Sequence, residues 1–191
     1  MIRAVALALL ILPALACAEE AILAFDSAIE IADDGSLTVT ESITVRAEGN
    51  RIRRGIYRDF PTSYRDRYGN AVEVDYEPLS VLRNDAREDF FSERLRNGVR
   101  TYFGSADRLL PPGQHRYVFR YRVNRVLGFF DGHDELYWNV TGLDWAFPIE
   151  QASASVGFGF ASQPEVIEAE AYTGYAGDQG SDYSRSVNGS V

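Results

Sequence analysis

Apolar and polar residues alternate with a period of two along most of this chain, the spacing that places every second side chain on one face of a strand. Phe25, Ser27, Ile29 and Ile31 share one face of a first strand, and Asp33-Asp34-Gly35-Ser36 supplies a tight turn. Leu37, Val39, Ile43 and Val45 then point inward, with Thr38, Thr40, Ser42 and Thr44 on the other face. Residues 46–70 break the rhythm: rich in Arg, Gly, Tyr and Asp, with Pro61 in the middle, they are expected to form a long ordered loop with short extended pieces. Strands resume at Val72–Tyr76 and Leu79–Leu82, and Asn97-Gly98 marks a hairpin between Phe91–Leu95 and Val99–Phe103. The cleanest alternation follows, Tyr117, Phe119, Tyr121 and Val123 against Arg116, Val118, Arg120 and Arg122. Leu136–Val140, Ile149–Phe160 and Val166–Tyr172 complete the expected strands.

The pattern predicts an all-β fold, an antiparallel β-sandwich of immunoglobulin-like architecture with little helix; a barrel is the alternative. Residues 19–175 are expected to form the sandwich and 176–191 a polar tail. Residues 1–18 read as a signal peptide: Met1-Ile2-Arg3, the apolar run Ala4–Ala16, then Ala16-Cys17-Ala18 with cleavage before Glu19. The run is shorter than the ~20 residues of a spanning helix, and a lipid-modified Cys17 is the minority alternative. Export is the expectation, to the periplasm or the extracytoplasmic face of the cytoplasmic membrane, with no transmembrane helix after the signal segment.

Cysteine and charge narrow the chemistry. The single Cys lies in the signal segment, so the sandwich has no disulfide or thiolate metal site. A formal net charge of −9 argues against a nucleic-acid partner. There is no Lys, and Arg51, Arg53, Arg54, Arg65 and Arg67 crowd one stretch, a candidate interaction surface for an envelope protein or an anionic membrane, against the blander reading of a solvated face.

Glu41 interrupts the apolar face Leu37, Val39, Ile43, Val45, and a buried carboxylate requires a partner. Arg54 and Arg58 are the candidates for a structural ion pair that pins the arginine-rich loop to the sandwich. No catalytic residues are assigned: no G-x-S-x-G occurs, and neither histidine stands in a context that marks a base. No cofactor is expected. Asp131, His133 and Asp134, in the loop Asp131–Glu135, are a weak metal candidate whose spacing matches no standard calcium or zinc motif. Trp138 falls on the inward register, and Trp145 is expected to anchor its loop to the core.

Four segments in order resemble the N-terminal extracytoplasmic part of the YciQ-like predicted membrane proteins, a bacterial domain family of unknown function. They are Asp34–Glu41, Gly55–Pro61, the Pro-Gly loop with Tyr117–Tyr121, and Asp134–Gly142. The resemblance spans roughly residues 22–175. It implies an exported β-sandwich that precedes membrane-spanning helices and a glycine-rich tail, and it carries no catalytic residues. The chain ends at Val191 before such a helix, as expected of a truncated product, a fragment or a soluble relative. The expected function is a non-enzymatic module for binding at the cell envelope. The alternative is a metal-dependent carbohydrate-binding protein or hydrolase that uses the Asp131–Glu135 loop.

Overall fold

The computed structural model describes residues 19–65, 69–160, 168–174 and 177–187. The expected signal peptide, Cys17 and Arg67 lie outside the described residues. The described chain is all-β. Its strands are β1 (Ala21–Ile31), β2 (Leu37–Ala47), β3 (Ile56–Pro61), β4 (Ser63–Arg65), β5 (Ala71–Glu73), β6 (Tyr76–Arg83) and β7 (Ala86–Arg87). They continue with β8 (Phe90–Leu95), β9 (Gly98–Phe103), β10 (Gly113–Val123), β11 (Leu127–Phe129), β12 (Asp134–Leu136) and β13 (Ala152–Phe158).

A large sheet runs in the order β13-β1-β2-β10-β6-β7, and a small sheet in the order β3-β9-β8 lies against it. Period-two alternation makes β2 and β10 the centre of the large sheet. Leu37, Val39, Ile43 and Val45 and, across the ladder, Tyr117, Phe119, Tyr121 and Val123 are all buried. Burying each such side chain contributes about 1.5–3 kcal/mol. The small sheet answers with Phe60 and Phe103. Phe103 packs on Phe119 at 4.7 Å between ring centroids, and Phe60 on Tyr76 at 4.6 Å and on Tyr121 at 5.7 Å.

Over β1 the small sheet contributes the Arg58 guanidinium, 5.8 Å from the centre of the Phe25 ring. Residues 126–148 cover that side: Trp145 stands edge-on to Phe25 at 6.0 Å, and its Nε1 donates to the Thr141 carbonyl at 2.7 Å. Trp138, half-buried, lies 6.0 Å from Phe60. The chain then returns to β1, where Ile22 N–H donates to Pro148 C=O at 3.0 Å, and β13 runs parallel to β1.

Three expectations need correction. The stretch 46–70 contains the six-residue strand β3, whose inward residues are Ile56, Arg58 and Phe60. An arginine at the middle inward position hid the alternation. The strand expected over Leu136–Val140 ends at Leu136, because Trp138 and Val140 belong to the covering segment rather than to a ladder. Residues 166 and 167 lie outside the described residues, and 168–172 form no strand.

Candidate functional site

The centre of the sandwich holds two charges. Glu41 on β2 and Arg58 on β3 face each other across the two sheets, 0% and 2% exposed. Arg58 Nε donates to Glu41 Oε2 at 2.9 Å and Arg58 Nη2 to Oε1 at 2.9 Å. Tyr121 OH donates to the same Oε1 at 2.7 Å, and Arg58 Nη1 donates to the Asp59 carbonyl at 2.9 Å. Burial alone would weaken the Arg58 cation, but Glu41 beside it holds the guanidinium pKa above its ordinary value. Burial, reinforced by the Glu41 charge, likewise pushes the Tyr121 phenol well up. Gly142 closes the cluster from the covering segment. Its φ of +75° is one that L side chains rarely adopt, and a Cβ there would run into the Arg58 guanidinium. Each polar group of this cluster faces another one. It is a joint between layers.

The remaining candidate arginines do not gather around it. Arg54 is not a partner of Glu41: its Nε donates to the Ala106 carbonyl at 2.7 Å. Arg51 donates to the Ala146 carbonyl at 3.1 Å and stands over the Phe147 ring at 4.9 Å, while Arg53 is exposed. Arg65 bonds the Gly69 carbonyl at 2.8 Å, beyond the far end of β3, a strand about 20 Å long at the usual rise per residue. Arg51, Arg53 and Arg54 therefore sit at one pole of the sandwich and Arg65 at the other. The local backbone at the first pole is fixed by Glu20, whose carboxylate accepts N–H groups from Glu48, Asn50, Arg51 and Ile52 at 2.8–3.2 Å.

Asp131, His133 and Asp134 occupy the exposed tip of the β11–β12 hairpin. His133 stacks on Phe130 at 4.9 Å, and no group of three metal-ligating side chains forms among the described residues. The weak metal site is thus not assembled, because strand pairing holds these side chains along a hairpin rather than around a point.

One surface stands out that residue spacing alone did not reveal. Strand register aligns Tyr57, Tyr102 and Phe91 in a row across the outer face of the small sheet. The next row is Asp59, Arg100 and Glu93, and the third is Pro61, Gly98 and Leu95. Phe91 stacks on Tyr102 at 4.7 Å, and Tyr57 lies 5.9 Å from Tyr102. Arg100 makes two 2.7 Å bonds to the Asp59 carboxylate and lies 4.0 Å above the Tyr57 ring. The Asp59 hydrogen bond raises the Arg100 pKa. The outer face of the large sheet is built differently, from Asp26, Glu30, Thr38, Thr40, Ser42, Arg116, Arg120 and Arg122. Among the described residues, only the small sheet presents rings to solvent as a continuous row.

Comparison with known proteins places the chain. Uncharacterized protein YciQ of Escherichia coli (strain K12) is 30% identical over 160 residues, covering 84% of this chain and 25% of YciQ. The chain thus spans about a quarter of that relative's length. Among solved structures, leukotriene A4 hydrolase from Saccharomyces cerevisiae overlaps with a TM-score of 0.39 at 13% identity, over 54% of this chain and 15% of the hydrolase. The M1 zinc metallopeptidase from Deinococcus radiodurans gives 0.36 at 16% identity, over 56% and 21%. A family model described as the N-terminal domain of a predicted membrane protein (DUF2207) matches residues 21–191. The family model, which spans nearly all of the described chain, and the match to YciQ show that the chain belongs to the DUF2207 family of predicted membrane proteins and carries that family's N-terminal domain.

Proposed function

We propose that this domain is a non-catalytic, extracytoplasmic recognition module, and that it meets a protein partner through the outer face of the small sheet. The row Tyr57–Tyr102–Phe91 beside the Asp59–Arg100 pair carries this reading. Tyr and Arg dominate binding hot spots, and here both are held in place before any partner arrives. Phe91 and Tyr102 stack on one another, which favours an irregular protein surface over the flat ring of a sugar. Asp59 is neutralised by Arg100, whereas Glu93 is exposed and, among the described residues, accepts the Tyr102 hydroxyl alone, at 3.3 Å. The matching partner surface is therefore apolar with a basic group opposite Glu93. The non-catalytic part rests on the Glu41–Arg58–Tyr121 cluster, whose polar atoms are engaged with each other. Arg51 and Arg54, engaged with carbonyls of their own chain, weigh toward a structural use of that loop.

A photo-crosslinking residue at Phe91 in the full-length protein, in its own membrane, should give a discrete protein adduct that Glu93→Arg removes. The same residue at Thr40, on the outer face of the large sheet, should give none. Adducts at Thr40 but not at Phe91, or lipid as the sole adduct at Phe91, would refute the assignment.

A further inference from the structure

We infer that a second copy of this chain pairs with the open edge of β13, extending the large sheet across a twofold axis. The surface is separate from the face proposed above, and the inference stands independently of it.

Main-chain hydrogen bonding fixes which groups are open. The Gln151 carbonyl accepts Phe25 N–H at 2.9 Å, and Gly159 N–H donates to Ile31 C=O at 2.8 Å. Odd-numbered residues therefore turn their N–H and C=O groups toward β1, and the same groups of Ala152, Ala154, Val156 and Phe158 point to the free edge. No other strand pairs with β13 among the described residues. Ala152–Gly157 are exposed on both faces of the sheet, with Val156 at 52%.

Sheet edges are normally blunted by charge, by proline or by shortness. The other edges of this protein follow that rule. Strand β8 carries Glu93 and Arg94, β7 has two residues, and β3 carries Asp59 and ends at Pro61. Strand β13 has none of these devices over its seven residues, Ala152-Ser153-Ala154-Ser155-Val156-Gly157-Phe158.

The same sequence also selects its occupant. In an antiparallel pairing centred on Ala154, that residue meets its own copy, Ala152 meets the partner's Val156, and Ser153 meets the partner's Ser155. From Ala152 to Val156 small uncharged side chains oppose one another, and each edge-facing pair exchanges two main-chain hydrogen bonds. The nearest acid, Glu150, stands two residues before β13 and is ion-paired with Arg46 at 3.1 Å; the others, Asp26, which accepts the Ser153 hydroxyl at 2.6 Å, and Glu30, are one strand in. In the paired sheet Asp26 and Glu30 of one copy stand about 14 Å, three strand spacings, from the β1 of the other, and the two Glu150 lie about 26 Å apart along the strands, both beyond the ~8 Å screening length of physiological salt. Between Ala152 and Val156 neither sterics nor charge opposes the self-match.

Sedimentation of the purified chain over a range of concentrations tests the inference. The chain should pass from monomer to dimer, and Ala154→Arg, which sets two cations face to face at the axis, should abolish the dimer while keeping the wild-type melting temperature. An Ala154→Cys variant, with Cys17 replaced by Ala, should form a disulfide dimer on mild oxidation. The expected Cα separation of about 5.5 Å in such a pair suits a disulfide. A Leu109→Cys control, at a residue 61% exposed and away from the edge, should not cross-link comparably. A monomer at every concentration, or equal cross-linking at both positions, would end the proposal. If Ala154→Arg fails to fold, the cysteine pair decides alone.

Discussion

Replacing Glu41 with Gln removes one charge from the centre of the sandwich and leaves its geometry almost intact. Glu41 accepts two arginine N–H groups and one tyrosine hydroxyl on its two oxygens. A glutamine offers one acceptor oxygen, and its amide group then faces donors. Arg58, 2% exposed, keeps its charge without a counter-ion. Breaking one side of a buried pair costs about 3–5 kcal/mol, against a total stability of about 5–15 kcal/mol for a domain. The expected loss of melting temperature is about 6–20 °C for a chain of this size. Urea unfolding should show a lower midpoint at an unchanged slope, since the surface exposed on unfolding is the same. Hydrogen exchange should rise first in β3 and in residues 139–145, the two segments that hold and cover the guanidinium. The double change Glu41→Leu with Arg58→Met removes both charges and should recover most of the loss, since apolar replacement of a whole buried pair is often neutral or stabilising by about 1–4 kcal/mol. A single variant within about 1 kcal/mol of wild type, or a double variant worse than the single one, would refute this account of the joint.

Gly142→Ala should lose about 1–2 kcal/mol from its left-handed backbone alone, with a further loss from the displaced guanidinium. The second part should vanish in the Glu41→Leu, Arg58→Met background, as a thermodynamic cycle of melting curves would show. Alkaline titration should be biphasic. Burial pushes Tyr117 up to about 12, and burial also raises Tyr76 and Tyr121, above the ~10 of the unfolded chain. Folded values above unfolded ones mean stability that is full below pH ~10 and lost as pH rises past it. Phenolate absorbance from the buried rings should therefore appear together with loss of the β-sheet circular dichroism; complete ionisation with an unchanged spectrum would contradict it. At the acid end, burial opposes ionisation of Glu88, but Arg83 and Arg108 outweigh it and lower its pKa. Its contribution is present above the unfolded value of ~4.3 and is lost as pH falls through the folded one. Glu88→Gln should flatten the decline of the urea midpoint below pH ~4.5, and an unchanged decline would show that other carboxylates carry it.

What the sequence revealed, and what it concealed, follows from one rule. Alternation is visible wherever an inward residue is apolar, so β1, β2, β9 and β10 and the inward turn of Glu41 were all legible. Strand β3 was not, because its central inward residue is Arg58 and an arginine reads as solvent-facing until its carboxylate is found. Between Arg54 and Arg58 the sequence offered no decision. They are four residues apart, and only the formation of β3 turns Arg58 inward and leaves Arg54 in the preceding loop. The ring row was hidden for another reason. Tyr57, Phe91 and Tyr102 are far apart in sequence, and only the pairing of three strands brings them side by side. The Asp131–Glu135 loop shows the reverse error, where residues adjacent in sequence suggested a convergence that a hairpin does not provide.

The buried pair and the exposed ring row are consequences of the same register. In β3, Ile56, Arg58 and Phe60 face inward, and Tyr57, Asp59 and Pro61 face outward. A slip of one residue would exchange the two sets. Tyr57 or Asp59 would then face Glu41. Two buried carboxylates repel, and a tyrosine leaves the carboxylate without a cation. Arg58 would meanwhile move to the outer face, and Asp59 would leave Arg100 unpaired. A leucine at position 41 would tolerate either arrangement far better. The acid therefore acts as a key for the register of a short strand, and in fixing Arg58 inward it fixes Tyr57 outward beside Tyr102 and Phe91. Conformational specificity at the centre of the sandwich and the chemistry of its exposed face are thus set by a single pairing.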